Sequence, residues 1–136
     1  MAKAPAKKKA APKSAAYQKG LAMRKKLSGG KQQGNQASAL AELAPDLDDM
    51  LNEVIFGQVW TRPGLELKMR SVAVIAALTA MQRLPQLKAH IAIGLNAGLS
   101  KQEIIEILIQ MAFYAGAPTA VNAFQLAKEV FDEEGI

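Results

Sequence analysis

A chain of 136 residues, half of them apolar, has room for one modest core and at most one domain. The absence of cysteine removes disulfides, thiolate nucleophiles, iron-sulfur clusters and Cys-type zinc sites together, and a single histidine falls short of the several ligands a protein-only transition-metal site draws on. The net charge of +5 is unevenly placed: residues 1–31 hold ten of the 17 Lys and Arg and no acid, so the remainder is acidic.

Met1 to Ser14 is almost entirely Ala, Lys and Pro. Such a composition buries too little apolar surface to offset chain entropy, and residues 1–14 read as a disordered tail. The tail lacks the apolar stretch of a secretory signal and the Arg and Ser of a transit peptide, so the expected location is the cytoplasm. It could make weak nucleic-acid contact through phosphates; a solvated arm is an equally good reading, because no aromatic is interleaved before Tyr17. Residues 15–38 read as a short N-terminal helix and a linker. Tyr17, Leu21 and Leu27 mark the helix, which is mostly polar and ends at Ser28-Gly29-Gly30, and Lys31 to Ser38 supplies Gln, Gly and Asn for the linker.

The folded domain is expected over 39–136. Leu47, Met50, Leu51, Val54 and Ile55 recur at helical spacing, with Asp46, Asp48 and Asp49 in the first turn where the helix dipole favours anions. Pro63-Gly64 then stops the chain, since proline cannot donate to a helical ladder and glycine admits positive φ. Val72 to Met81 is a run apolar but for Thr79, too short for a bilayer span of about 20 residues and too rich in alanine for a strand, so a buried helix is predicted. Pro85 opens another helix carrying Leu87, His90, Ile91 and Leu95, closed by Gly98. Ser100-Lys101-Gln102-Glu103 has the spacing of a capping box ahead of Ile104 to Tyr114, which is apolar on nearly every face. Gly116 and Pro118 separate it from a last helix with Val121, Phe124, Leu126, Ala127, Val130 and Phe131 inward. The fold class is all-α. Two helices apolar all round exceed what so small a domain can enclose, and self-association is expected.

Chemically useful side chains gather around Gly57 to Ser71, where the only Trp lies with two of the four Arg. A core Trp flanked by solvated arginines is the plainer reading of that stretch. There is no GxGxxG and no Walker loop.

Trp60-Thr61-Arg62-Pro63-Gly64-Leu65, then Arg70-Ser71, Arg83, Leu87-Lys88-Ala89-His90, Asn96-Ala97-Gly98, Glu103-Ile104-Ile105-Glu106 and Gln110 to Pro118 with Tyr114-Ala115-Gly116, resemble the gamma-carboxymuconolactone decarboxylase family in order and spacing. The resemblance runs from Tyr17 to the C-terminus. It implies a compact multi-helix, alkyl-hydroperoxidase-like fold, assembled as a trimer or hexamer. It also implies cofactor-free conversion of gamma-carboxymuconolactone to 3-oxoadipate enol-lactone in protocatechuate breakdown. Peroxidase relatives carry a Cys-x-x-Cys that would fall on Arg83 and Gln86, so that branch is excluded.

Under the resemblance His90 is the catalytic proton donor, with a satisfied core histidine as the rival reading. Arg62, Arg70 and Arg83 would hold substrate carboxylates, with surface arginine the alternative for each. Gln110 and Tyr114, four residues apart on one helix face, would bond the lactone oxygens, and Trp60 would form a wall. His90 and at least one arginine are expected to line a pocket near Trp60 that a neighbouring subunit completes. Positions that carry Glu and Arg in the family are Gln86 and Ala92 here, which brings forward another small lactone or carboxylic acid as the alternative substrate. A non-catalytic oligomer whose basic tail binds an acidic partner is the reading from outside enzymology.

Overall fold

The computed structural model describes the backbone of residues 11–31 and 35–136, and the side chains of that set apart from 35–38. Seven α-helices and one π-helix make up these residues: α1 Ala15–Leu27, α2 Asn35–Leu43, α3 Pro45–Leu51, the π-helix Asn52–Val59, α4 Leu67–Ala80, α5 Leu84–Asn96, α6 Lys101–Tyr114 and α7 Ala117–Glu134. No strand occurs among them, in keeping with the all-α expectation, and no helix is long and apolar enough to cross a membrane.

Helices α4 to α7 pack on one another around Ile75, Leu87, Ile91, Leu99, Ile104, Leu108, Ala127 and Val130. Local sequence sets their ends. Ser100 accepts from the Glu103 amide while Glu103 reaches back to the Ser100 amide, at 3.1 and 2.8 Å, so the capping box forms. Pro sits in the first turn of α5 and α7, where its missing N–H leaves no helical bond unmade. Gln82 follows α4 at a φ of +52°, an unusual conformation for a side chain larger than Asn. Its amide nitrogen donates to the Thr79 and Thr119 carbonyls and its oxygen accepts from Asn122, which ties α4 to α7.

A second packed unit is α1 against the π-helix. Two glycines let these backbones touch: a Cβ on Gly57 would lie 2.0 Å from the Ala16 carbonyl oxygen, and one on Gly20 would lie 2.1 Å from that of Asn52. Asn52, fully buried, donates to the Tyr17 carbonyl at 2.9 Å. Leu27 is buried at the end of α1, where Asn96 of α5 donates to its carbonyl at 2.9 Å. This places α1 in the core packing rather than merely on the surface.

Several sequence expectations are corrected. The helix predicted over Leu47 to Ile55 switches at Asn52 from i→i+4 to i→i+5 pairing, as the 2.8 Å bond from the Trp60 amide to the Ile55 carbonyl shows. Through the wider turn Asn52, Gly57 and Trp60 are buried while Val54 and Ile55 are exposed, and Leu47 and Met50, in α3 ahead of the switch, are exposed on this chain as well. In α4 the inward row is Ser71, Ile75 and Thr79, and Ala73 and Ala77 are exposed; the apolar run is not enclosed on all sides. Val121 is also exposed, one position off the Ala120, Ala123, Ala127 row that faces the core of α7.

The linker reading gives way from Asn35, where α2 begins, because Ala, Leu and Glu dominate its sequence. Met1 to Ala10, the greater part of the predicted tail, lies outside the described residues. The last two tail positions are engaged. Lys13 pairs with Asp49 and lies 4.8 Å from the Tyr17 ring centroid. Ser14 caps α1 through the Tyr17 amide and donates to Glu53 at 2.7 Å.

Candidate active site

The Trp-containing stretch leaves the π-helix at Trp60 and reaches α4 at Leu67. Pro63-Gly64 lies in this connection, but Gly64 is not in the left-handed region and so is not a positive-φ pivot. Other bonds hold the turn. The Thr61 hydroxyl donates to the Gly57 carbonyl at 2.7 Å, and the Arg62 amide to that of Val59 at 3.2 Å. Arg70, in the first turns of α4, donates from Nε to the Leu65 carbonyl at 3.1 Å and from Nη2 to the Arg62 carbonyl at 2.8 Å.

Trp60, 6% exposed, turns inward onto His90 of α5. The two rings stack with centroids 6.3 Å apart and planes inclined by 21°. His90 Nδ1 is buried and has no hydrogen-bond partner among the described residues, so this is not the satisfied core histidine of the rival reading. Burial pushes the imidazole below its ordinary pKa, because desolvation penalises the charged ring and no acid offsets it. His90 in the unliganded chain is therefore a neutral imidazole at pH 7.

Beside the Trp60 ring opens a cavity of about 160 Å³ lined by Val59, Trp60, Leu65, Arg70, Ala73 and Val74. Its walls are apolar apart from the guanidinium, which suits a small anion with an unsaturated or aliphatic body. Ala73 and Val74 were not singled out by sequence, although they lie three and four residues beyond Arg70 and hence on its helix face.

Trp60 is thus the link between His90 and the cavity: it stacks on His90 and lines the cavity with Arg70, which is tied to the Arg62 backbone, while His90 itself is not one of the residues lining the cavity. The Arg62 and Arg83 side chains are exposed, as are Gln110 and Tyr114 towards the end of α6, and none of these four lines the cavity. Tyr114 is 79% exposed and Phe113 beside it 85%, so both are presented outward from this chain. Lys68, nearer the site, is paired with Glu103 at 2.7 Å, which together with the Ser100 amide holds that carboxyl below its usual pKa. Among the described residues no three His, Asp or Glu side chains gather as metal ligands.

Residues 45–129 match the model of the carboxymuconolactone decarboxylase family. The chain is 33% identical over 120 residues to 4-carboxymuconolactone decarboxylase of Acinetobacter baylyi, covering 88% of this chain and 90% of that protein. It is 35% identical over 98 residues to an uncharacterized 15.0 kDa protein of the nqo9-nqo10 intergenic region of Paracoccus denitrificans, covering 71% and 73% respectively. Over 117 residues it is 24% identical to nitrosuccinic acid decarboxylase of Metarhizium robertsii, covering 86% and 82%.

Proposed function

Because the chain belongs to the carboxymuconolactone decarboxylase family, we propose that it is a decarboxylase acting on gamma-carboxymuconolactone, with the cavity lined by Trp60 and Arg70, and His90 stacked on Trp60, as its active site. The observation that carries this reading is a buried, unpaired His90 nitrogen stacked on a tryptophan that walls an apolar, cation-bearing cavity.

The substrate brings its own electron sink. As the bond to the carboxylate carbon breaks, the electron pair enters the conjugated lactone and reaches its carbonyl oxygen; carbon dioxide leaves, and a proton adds to ring carbon. The protein has three tasks: to hold the carboxylate, to stabilise the developing enolate oxygen and to deliver that proton. Apolar walls at Val59, Leu65 and Val74 favour the departing carboxylate, whose charge disperses in the transition state. An anion entering the site favours the protonated ring of His90, so substrate binding draws in the proton that His90 afterwards gives to carbon. Arg62, exposed on the turn whose carbonyl Arg70 holds, supplies the guanidinium that meets a substrate carboxylate. Arg83, Gln110 and Tyr114, if they take part, do so through assembly with another subunit.

That assembly is a trimer or hexamer. Support comes from the large apolar side chains each chain exposes: Leu43 at 82%, Phe113 at 85%, Val121 at 65% and Met50 at 60%. A second substrate reading follows from the nitrosuccinic acid decarboxylase likeness together with Gln86 and Ala92: a small carboxylic acid in which a nitro group, rather than a lactone, accepts the electrons.

The test is turnover of gamma-carboxymuconolactone and of nitrosuccinate by purified protein, followed as carbon dioxide release. His90→Gln is expected to lower kcat by about 10²–10⁴-fold while leaving the melting temperature close to wild type. Wild-type protein inert towards both acids, or an active His90→Gln variant, refutes the assignment.

A further inference from the structure

We infer that Arg70 is a positioning residue: its guanidinium clamps the Arg62–Leu65 turn, and through that turn it keeps Trp60 seated on His90. The proposal rests on the site assignment above, but its central readout does not.

Two guanidinium nitrogens, Nε and Nη2, are each engaged by a backbone carbonyl of the same turn, at 3.1 Å to Leu65 and 2.8 Å to Arg62. These are charge-assisted bonds in fork geometry, stronger than neutral ones and directional. Little else is available to hold the C-terminal half of this turn. Gly64 has open space around its Cα and ordinary φ, Pro63 has no amide hydrogen, and Glu66 at the start of α4 makes no side-chain cap. Leu65, the last residue of the clamped segment, and Trp60, two residues ahead of it, line the same cavity as Arg70. Movement of the turn therefore moves two walls of the cavity and the ring that stacks on His90. An arginine whose main task was to bind a carboxylate would keep its fork free for it; here the fork is already occupied by the protein.

The distinction from substrate binding lies in what lysine can replace. Lysine retains the charge that attracts an anion but offers one ammonium in place of a planar fork, so it cannot span the two carbonyls in the same geometry. Trp60 is the only tryptophan, so its fluorescence reports this site alone.

The experiment compares wild type, Arg70→Lys and Arg70→Met as full-length proteins. Arg70→Lys is the deciding variant, since it keeps the aliphatic stem and the charge and is the milder perturbation. If Arg70 is the clamp, both variants shift Trp60 emission to longer wavelength and make it several-fold more accessible to acrylamide, at temperatures where circular dichroism shows the helices intact. Where turnover is measurable, kcat falls by about 10²-fold, the usual consequence of an active-site misplacement of about 1 Å, with KM little changed. Wild-type emission and quenching in Arg70→Lys would overturn the proposal. So would a variant pair in which Lys preserves the Trp60 environment and Met does not, because charge alone would then suffice. If the wild type proves inactive on every acid tried, the emission result still decides the clamp while the decarboxylase reading falls separately.

Discussion

Gly57→Ala tests how the active-site tryptophan is delivered. In the native packing the added methyl would lie 2.0 Å from the Ala16 carbonyl oxygen and 2.8 Å from its carbon. Favourable carbon contacts lie at about 3.5–4.0 Å, so α1 and the π-helix must separate by more than about 1 Å, and the obstacle is backbone rather than a side chain that could rotate away. Overpacking of a rigid contact costs about 1–3 kcal/mol, and a backbone clash belongs at the upper end, about 3 kcal/mol. For a chain of this size each kcal/mol lowers the melting temperature by about 4 °C, so the expected loss is about 12 °C. Trp60 follows three residues later, so its emission should shift to longer wavelength in the folded variant as well. Gly64→Ala is the internal control, because nothing lies within 4 Å of its added methyl and its φ is ordinary. It should be neutral or raise stability by about 0.4–1 kcal/mol. The assay is thermal unfolding by circular dichroism with Trp60 fluorescence recorded in parallel. If Gly57→Ala melts within about 2 °C of wild type, the close approach of the two helices is not what seats the site.

The pH dependence of stability follows from His90. Its folded pKa is depressed by burial, so between that value and the unfolded value of about 6.5 the unfolded chain binds more protons. Its contribution is complete above pH 6.5 and is lost as pH falls through 6.5 towards the folded value; His90→Gln should flatten the melting-temperature profile over that window. Calorimetry in buffers of different ionisation heat should show proton uptake when a dicarboxylate binds, and tighter binding as pH falls towards 6. Deleting residues 1–10 should leave the melting temperature unchanged, whereas deletion through Ser14 should lower it, since loss of a Ser N-cap alone costs about 1 kcal/mol. Light scattering at micromolar concentration should give a trimer or hexamer, and a monomer would remove the subunit-completed part of the site.

What the amino-acid order determines by itself is whatever depends on neighbours in sequence. Ser100 and Glu103 make their capping box because both partners lie within one turn, and Pro85, Pro118 and Gly98 mark helix ends through backbone sterics that need no tertiary partner. The motif order from Trp60 to Gly116 carried the family, and His90 stood out by being alone. Tertiary structure decided the rest. Regular spacing from Leu47 to Ile55 reads as an α-helix, yet the chain widens into a π-helix at Asn52, where the buried side chain binds Tyr17 and Gly57 meets Ala16, contacts made with residues about 35 to 41 positions away. Arg70 looks like a substrate ligand in the sequence because an arginine there can serve either a carboxylate or a carbonyl, and only the folded turn presents the Arg62 and Leu65 carbonyls to its fork. The stacking of Trp60 on His90 joins residues 30 apart on different helices, and the burial that keeps the imidazole neutral comes from that packing; neither distance nor desolvation is encoded in any local stretch of the chain.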